Sequence, residues 1–263
     1  MRAAHPPKND SKLGPKFMAQ QIRLSDKQVT AFFDTQFEAD QLSHFQSFFE
    51  AAYIDGVIVD VGGGVGKFAS LLAEQRPNKI RVLDLDARSV EIVNESGNSR
   101  IEAMLADAIN PPIYDDEAVV AINLILHHLV GENEAETRAL QEAALSVWRE
   151  KAEYIFVNEY IYESFIGNLS GRLIYAITSH PVLSVAASFF SKFVPSLRAN
   201  TFGVGVRFRS NSEWIEVFNH CGYEVVGIRT GDREQISLPR RLLLISQIKR
   251  NSYLLRASSG RQK

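Results

Sequence analysis

Three kinds of residue in this chain are spaced for chemistry: a histidine pair, a few carboxylates, and a cluster of glycines. The glycines stand in VIVDVGGGVGKF, where Gly62, Gly64 and Gly66 separate a β-branched run from the start of a helical pattern. Glycine permits positive φ and lets a ligand touch the main chain. The N–H groups that open a helix then face whatever is bound there. A phosphate-binding P-loop would need Gly-Lys-Ser/Thr, but Lys67 is followed by Phe68, so no hydroxyl is available for magnesium. A dinucleotide loop is better matched, because GVGKFA (Gly64 to Ala69) fits GxGxxA. Asp60 weighs against it. A carboxylate two residues before Gly62 would repel a pyrophosphate and would suit a ligand carrying positive charge. Asp84 ends IRVLD eighteen residues after Gly66, where an acid can accept from both hydroxyls of a ribose. That position serves NAD as well as other nucleosides. Asp86 is its neighbour and competitor, and an NAD oxidoreductase stays open at this point.

S-adenosylmethionine meets the requirement set by Asp60, since it carries a sulfonium and an ammonium and no phosphate. With Asp60, Gly62, Gly64 and Gly66 the stretch DVGGGVG gives D/E-x-G-x-G-x-G. Here the chain resembles the class I S-adenosylmethionine-dependent methyltransferases. The resemblance covers residues from about 55 to 160 and the later strands in outline. It implies that Asp84 holds the ribose. It also implies that Asp107, in LADA, meets the adenine amino group, with Ala108 beside it and Asn123 closing the cofactor set. Asp107 read without the family is a turn or helix-capping residue.

The histidines lie in NLILHHL. An imidazole titrating near neutrality can take a proton from a hydroxyl. The stretch resembles the corresponding part of caffeic acid-type O-methyltransferases, which implies that His127 is the base and His128 an acceptor contact. The same resemblance makes Glu159, in VNEY, the residue that orients the base. A second supporting glutamate of that family would fall near Phe208 and is missing, and the large N-terminal dimerisation domain is missing too. The alternative for His127 is a structural or substrate-contact role.

These residues must be held by a frame, and the pattern supplies one. VIVDV, IRVLDL, IEAML, AVVAINLIL and AEYIFVNEY read as five strands alternating with helical segments. Such alternation predicts an α/β Rossmann-like fold: a seven-stranded, mostly parallel sheet with an antiparallel last strand, helices on both faces and a helical lid insertion. YEVVGIR and RRLLLISQI are the closing strands, expected to be joined by a short connection without a helix. Apolar residues at helical spacing from Ser25 to Tyr53, among them Val29, Phe32, Phe33 and Phe37, predict an N-terminal helix that closes over the cofactor. The expected organisation is a mobile tail over 1–20, a methyltransferase domain over 21–250, and a basic tail over 251–263.

The insertion, residues 164–207, is apolar and aromatic. It is expected to be a lid whose Phe165, Tyr175, Phe189, Phe190, Phe193 and Phe202 make an apolar acceptor pocket. Tyr160, Tyr162, His180 and Arg207 are its candidate polar contacts. A helical pair packing on the sheet or in a homodimer is the alternative.

Composition narrows the partners. The 263 residues carry 29 basic and 31 acidic side chains, a formal charge of −2, so no field of one sign advertises nucleic acid. Basic residues at the two ends, from Lys8 to Arg23 and from Lys249 to Lys263, keep RNA methylation as a minor alternative. The single cysteine, Cys221, excludes an intramolecular disulfide and reads as a small buried thiol. No metal site is expected; Asp115, Asp116 and Glu117 read as a solvated acidic turn. With no secretory signal and no apolar stretch long enough to span a bilayer, the expectation is a cytoplasmic protein with no membrane partner. Its expected work is methyl transfer to a small, largely apolar or aromatic acceptor of secondary metabolism. The other alternative is a cofactor-binding protein that has lost transfer.

Overall fold

A computed structural model describes residues 40–50, 53–191 and 203–258. The tail over 1–20, Val29, Phe32, Phe33, Phe37, Phe193 and Phe202 lie outside the described residues. The elements run α1 (Asp40–Phe49), β1 (Val57–Val61), α2 (Lys67–Gln75), β2 (Ile80–Asp84), α3 (Ala87–Glu95), β3 (Ile101–Leu105) and β4 (Glu117–Asn123). A one-turn 3-10 helix (Leu126–His128) follows, then α4 (Glu134–Ser146), β5 (Tyr154–Ser164), α5 (Leu169–Ser179) and α6 (Pro181–Ser191). The chain closes with α7 (Asn211–His220), β6 (Tyr223–Thr230), α8 (Leu238–Leu242) and β7 (Ile245–Ala257).

The strands form one seven-stranded sheet in the order β3-β2-β1-β4-β5-β7-β6. β1 to β5 are parallel, and β7 is antiparallel to both β5 and β6. This is the α/β architecture expected from the sequence. The central strands β1 and β4 are rich in Val and Ile because both of their faces are covered; all five residues of β1 are buried. Alternation along β1 sends Val57, Val59 and Val61 to one face, where they meet Leu126, Trp148 and Trp214. Ile58 goes to the other, where Phe45, Phe68 and Phe156 pack edge to face or stacked. Asp60 shares that second face. The strand order reverses between β1 and β4, so the crevice beyond their carboxyl ends is where an open α/β sheet takes a ligand.

Four expectations change. The last strand is Ile245–Ala257, not residues 240–248, because Pro239 starts α8 and turns Arg240 and Arg241 into a short helix. The β6–β7 connection therefore contains a helix. The basic tail expected from residue 251 is strand to Ala257, with Tyr253 and Leu255 buried. Glu117 is not solvated: it opens β4, its side chain is fully buried, and it pairs with Arg81 at 3.0 Å. Arg81 also holds Glu102 and Asp116.

Candidate active site

The glycine loop leaves β1 and enters α2 with three left-handed residues, Gly62 (φ 70°), Gly64 (φ 54°) and Gly66 (φ 73°). Any Cβ at Gly62 would collide with the Ile125 side chain, whereas one at Gly64 would meet open space. The loop is thus tight against the protein at Gly62 and bare toward the crevice at Gly64. Asp84, at the end of β2, accepts from Gly64 N at 2.8 Å and from Asp86 N at 2.9 Å. Burial raises its pKa, and the backbone donors pull against that rise. Asp86 is otherwise employed: it caps α3 by accepting from Ser89 N and Oγ. Of the two acids, Asp84 is the one bonded to the glycine loop.

Beneath the loop, Asp60 is fully buried. Its Oδ1 accepts from Asn123 Nδ2 at a long 3.3 Å. Among the described residues its Oδ2 has no hydrogen-bond partner, and neither has Asn123 Oδ1. Burial pushes the Asp60 carboxyl up to about 7, opposed by the Asn123 bond and reinforced by the negative charge of Asp84. Two buried acceptors without donors cost free energy unless a ligand or water supplies a proton or a positive charge. Asp107 and Ala108 follow β3, both half-buried. Asp107 Oδ1 accepts from Ile109 N at 3.1 Å, so it also forms the local turn that its residue type favours.

The second half of the site begins at Leu124, a non-glycine residue at φ 55°. Its N–H is tied to Asn158 O at 2.8 Å. Such a conformation is maintained only where the surroundings impose it. It turns the chain from β4 into the 3-10 turn that carries His127. His127 is buried, and its Nδ1 lies 2.6 Å from Glu159 Oε2. The other oxygen of Glu159 accepts from Leu126 N at 2.7 Å. A carboxylate that accepts at both oxygens fixes Nδ1 as the protonated nitrogen and leaves Nε2 with its lone pair. One face of the imidazole stacks on Phe208, with ring centres 4.9 Å apart, and the other leans on His128 at 4.1 Å. Phe208 continues into Tyr162 at 4.1 Å, and Tyr160 meets the edge of the pile. Burial and the neighbouring His127 hold the His128 pKa well below its ordinary value, so His128 is neutral near pH 7. Burial raises both tyrosines above the usual phenol range.

Glycine loop, Asp60, Asn123, His127, His128, Glu159 and Tyr160 are therefore set around the carboxyl ends of β1, β4 and β5. Three expected acceptor contacts are not among them. Arg207 is wholly buried between Glu134 (2.7 Å) and Glu213 (2.6 Å) and also donates to Phe208 O. Its guanidinium is consumed by structure. Tyr175 donates its hydroxyl to Gly131 O at 2.9 Å, fastening α5 to the loop before α4. His180 is an exposed residue that closes α5. Phe165 and Phe189 face solvent at 60% and 55% exposure, so they do not line a closed pocket. The aromatic wall is made by Phe208, Tyr160 and Tyr162. Phe208 was legible only as the place of a missing glutamate; it stacks on His127 from a segment outside the strands, joined to β5 by a single bridge between Arg209 and Ile161, which no short motif reveals. Of the basic ends, Arg250 pairs with Asp40 and Arg256 with Glu224. Cys221 is buried and its thiol pKa is raised by burial. Among the described residues no helix is long and apolar enough to cross a membrane.

Residues 59–147 match the family model described as a methyltransferase domain. Among solved structures of similar fold is a SAM-dependent methyltransferase from Anabaena variabilis (TM-score 0.55, 13% identity), with 94% of this chain and 100% of that chain covered. The 4+2 cyclase SpnF superposes with a TM-score of 0.57 at 14% identity, over 84% of this chain and 82% of that one. LepI C52A, solved in complex with SAH and a substrate analogue, gives 0.55 at 12% identity, over 86% of this chain and 50% of that one. This chain thus spans about half the length of LepI. At these identities the likeness is one of fold. No curated protein matches the sequence.

Proposed function

On the premise that residues 59–147 are a methyltransferase domain in a class I Rossmann-like fold, we propose that the protein is an S-adenosylmethionine-dependent methyltransferase. Its acceptor is a small, largely apolar or aromatic molecule. The observation that carries this is the pair of buried, donor-less acceptors under a glycine loop that is open at Gly64. Such a socket suits a cationic nucleoside and penalises a pyrophosphate. S-adenosylmethionine supplies an electrophilic methyl group on a sulfonium. Asp84 holds the ribose, Asp107 and Ala108 the adenine, and Asp60 with Asn123 the positively charged end.

At the acceptor side, His127 Nε2 takes the proton of the attacking hydroxyl or ring nitrogen. Glu159 keeps the imidazole in the right tautomer and stabilises its protonated form. Tyr160, Tyr162 and Phe208 give the acceptor a flat apolar wall, and His128 contacts it as a neutral ring. Orientation in a site that excludes water supplies much of the rate. An acceptor of that kind is in keeping with a reaction of secondary metabolism.

A second reading is favoured by one comparison: the similar structure SpnF is described as a 4+2 cyclase. On that reading the cofactor is held and the methyl group stays in place. Incubation with methyl-labelled S-adenosylmethionine and a panel of phenols and heteroaromatic amines separates the two. Label in at least one acceptor, lost in His127→Gln, supports transfer. Tight cofactor binding with no label moved to any acceptor supports the cyclase-like alternative.

A further inference from the structure

A one-turn 3-10 helix has little rigidity of its own, yet the Nε2 of His127 must be held to within a fraction of an ångström to serve as a base. Three main-chain groups of the turn are tethered by other elements. Glu159 takes Leu126 N. Gln141 Nε2, fully buried on α4, donates to Leu126 O at 2.9 Å. The backbone N–H of Arg207 donates to His127 O at 2.9 Å.

The last two tethers share one support. Gln141 Oε1 accepts from Arg209 Nε at 2.7 Å, which fixes which way the amide faces. Arg209 in turn is held by Glu134 at 2.9 Å, and Glu134 also holds Arg207 at 2.7 Å. Glu213, the capping-box residue of α7, takes Arg207 at 2.6 Å and closes the ring through a longer 3.7 Å pair with Arg209. Alternation along residues 207–209 puts both arginines into this ring and turns Phe208 the other way, onto His127. The segment is anchored to β5 by Tyr162 N donating to Arg209 O at 3.0 Å. Two arginines and two glutamates make a neutral set, so it can be buried without a stranded charge.

We propose that Gln141 and Arg209 are positioning residues for His127: the ring Glu134–Arg207–Glu213–Arg209 holds the Gln141 amide, and the amide holds the turn that presents the imidazole. This rests on the assignment of His127 as the base, and it extends that assignment to two residues that both lie further along the chain, on α4 and just before α7. The ring also meets the lid. Glu134 opens α4 a few residues after Gly131, which Tyr175 of α5 holds, and Val206 N donates to Thr178 Oγ1 of α5 at 3.1 Å. The orientation of His127 is therefore tied to the seating of the insertion.

The test uses two variants of one residue. Gln141→Leu removes both bonds. Gln141→Glu, when ionised, keeps the acceptor for Arg209 and has no donor for Leu126 O, but adds a negative charge beside the ring, so Gln141→Leu is its charge-free control. Nitrogen NMR of the His127 side chain in the full chain reads tautomer and titration without any acceptor, and labelled-methyl turnover reads function. Expected in both variants is a mixed tautomer signal for His127, a shifted acid limb in the rate profile, and about a tenfold loss of kcat, with cofactor Kd within twofold. A purely structural role would instead leave the tautomer and the acid limb as in the parent while lowering the Tm, and that result overturns the proposal. Should His127→Gln retain full turnover while the NMR signal still shifts in the Gln141 variants, the positioning stands and the base assignment falls.

Discussion

The two halves of the site treat their polar groups in opposite ways. Around the glycine loop, Asp60 Oδ2 and Asn123 Oδ1 are buried without a donor, and Gly64 faces empty space. Around His127, polar groups are tied from outside the turn: Glu159, Gln141 and Arg207 between them take Leu126 N, Leu126 O, His127 Nδ1 and His127 O, and among the described residues the one open group in that support is Arg209 Nη2. Beneath the loop, two acceptors have no donor among the described residues. Beside β5, most bonds converge on the turn that carries a single side chain, His127. The open half is accordingly where binding is expected to be decided, and the tethered half where turnover is.

The largest effect expected is His127→Gln. Loss of a positioned base lowers kcat by about 10²–10⁴-fold, while the cofactor Kd, measured by calorimetry, stays within about twofold. A parallel loss of cofactor affinity would dissolve the division between the halves. Gly62→Ala comes next and acts on the other side. A Cβ there meets Ile125 at a left-handed φ, and loop distortion of about 1–3 kcal/mol translates into roughly a 10- to 100-fold weaker cofactor Kd.

Asp60 sharpens the comparison through pH. Its folded pKa is raised from 3.8 to about 7, so the ligand-free fold binds that proton more tightly than the unfolded chain does. The stability this group contributes is full below pH 3.8 and is lost as pH rises through about 7. A cationic ligand reverses the preference and favours the ionised carboxylate. Cofactor affinity should therefore rise with pH, by at most about tenfold per pH unit, and level off above about 8. Asp60→Asn should flatten that profile and weaken binding about tenfold, while raising the Tm of the ligand-free protein at pH 8 in a thermal melt. Smallest is Tyr175→Phe. It removes one hydrogen bond to Gly131 O, worth about 1 kcal/mol, and should lower the Tm by a few degrees and raise the acceptor KM with kcat little changed.

The same contrast explains what the sequence could tell. The open half is written locally: Asp60, the glycines and Asp84 lie within one βαβ unit, where spacing follows from strand and helix lengths. Even so, the sequence did not show that Asp86 is employed as the cap of α3. The tethered half is assembled from distant segments. Gln141 reads as one more residue of an amphipathic helix, and Arg207 and Arg209 as basic residues near an insertion, because their partners lie about 70 positions away. That is why Arg207 read as an acceptor contact and proved to be an ion-pair residue. Glu117 misled for the same reason, its partner Arg81 being on β2, across β1 in the sheet. The end of β7 was lost because SYLLRA mixes a buried Tyr253 and Leu255 with polar neighbours on a strand that pairs on both sides.

The measurement closest to the central claim is calorimetric titration of the purified protein and of Asp60→Asn with S-adenosylmethionine and with NAD, each at pH 6 and pH 8. The account predicts that the parent binds S-adenosylmethionine, more tightly at pH 8 than at pH 6, that the substitution removes this pH dependence, and that NAD gives no heat. Binding of NAD, or an affinity for S-adenosylmethionine that is indifferent both to pH and to Asp60, would contradict it.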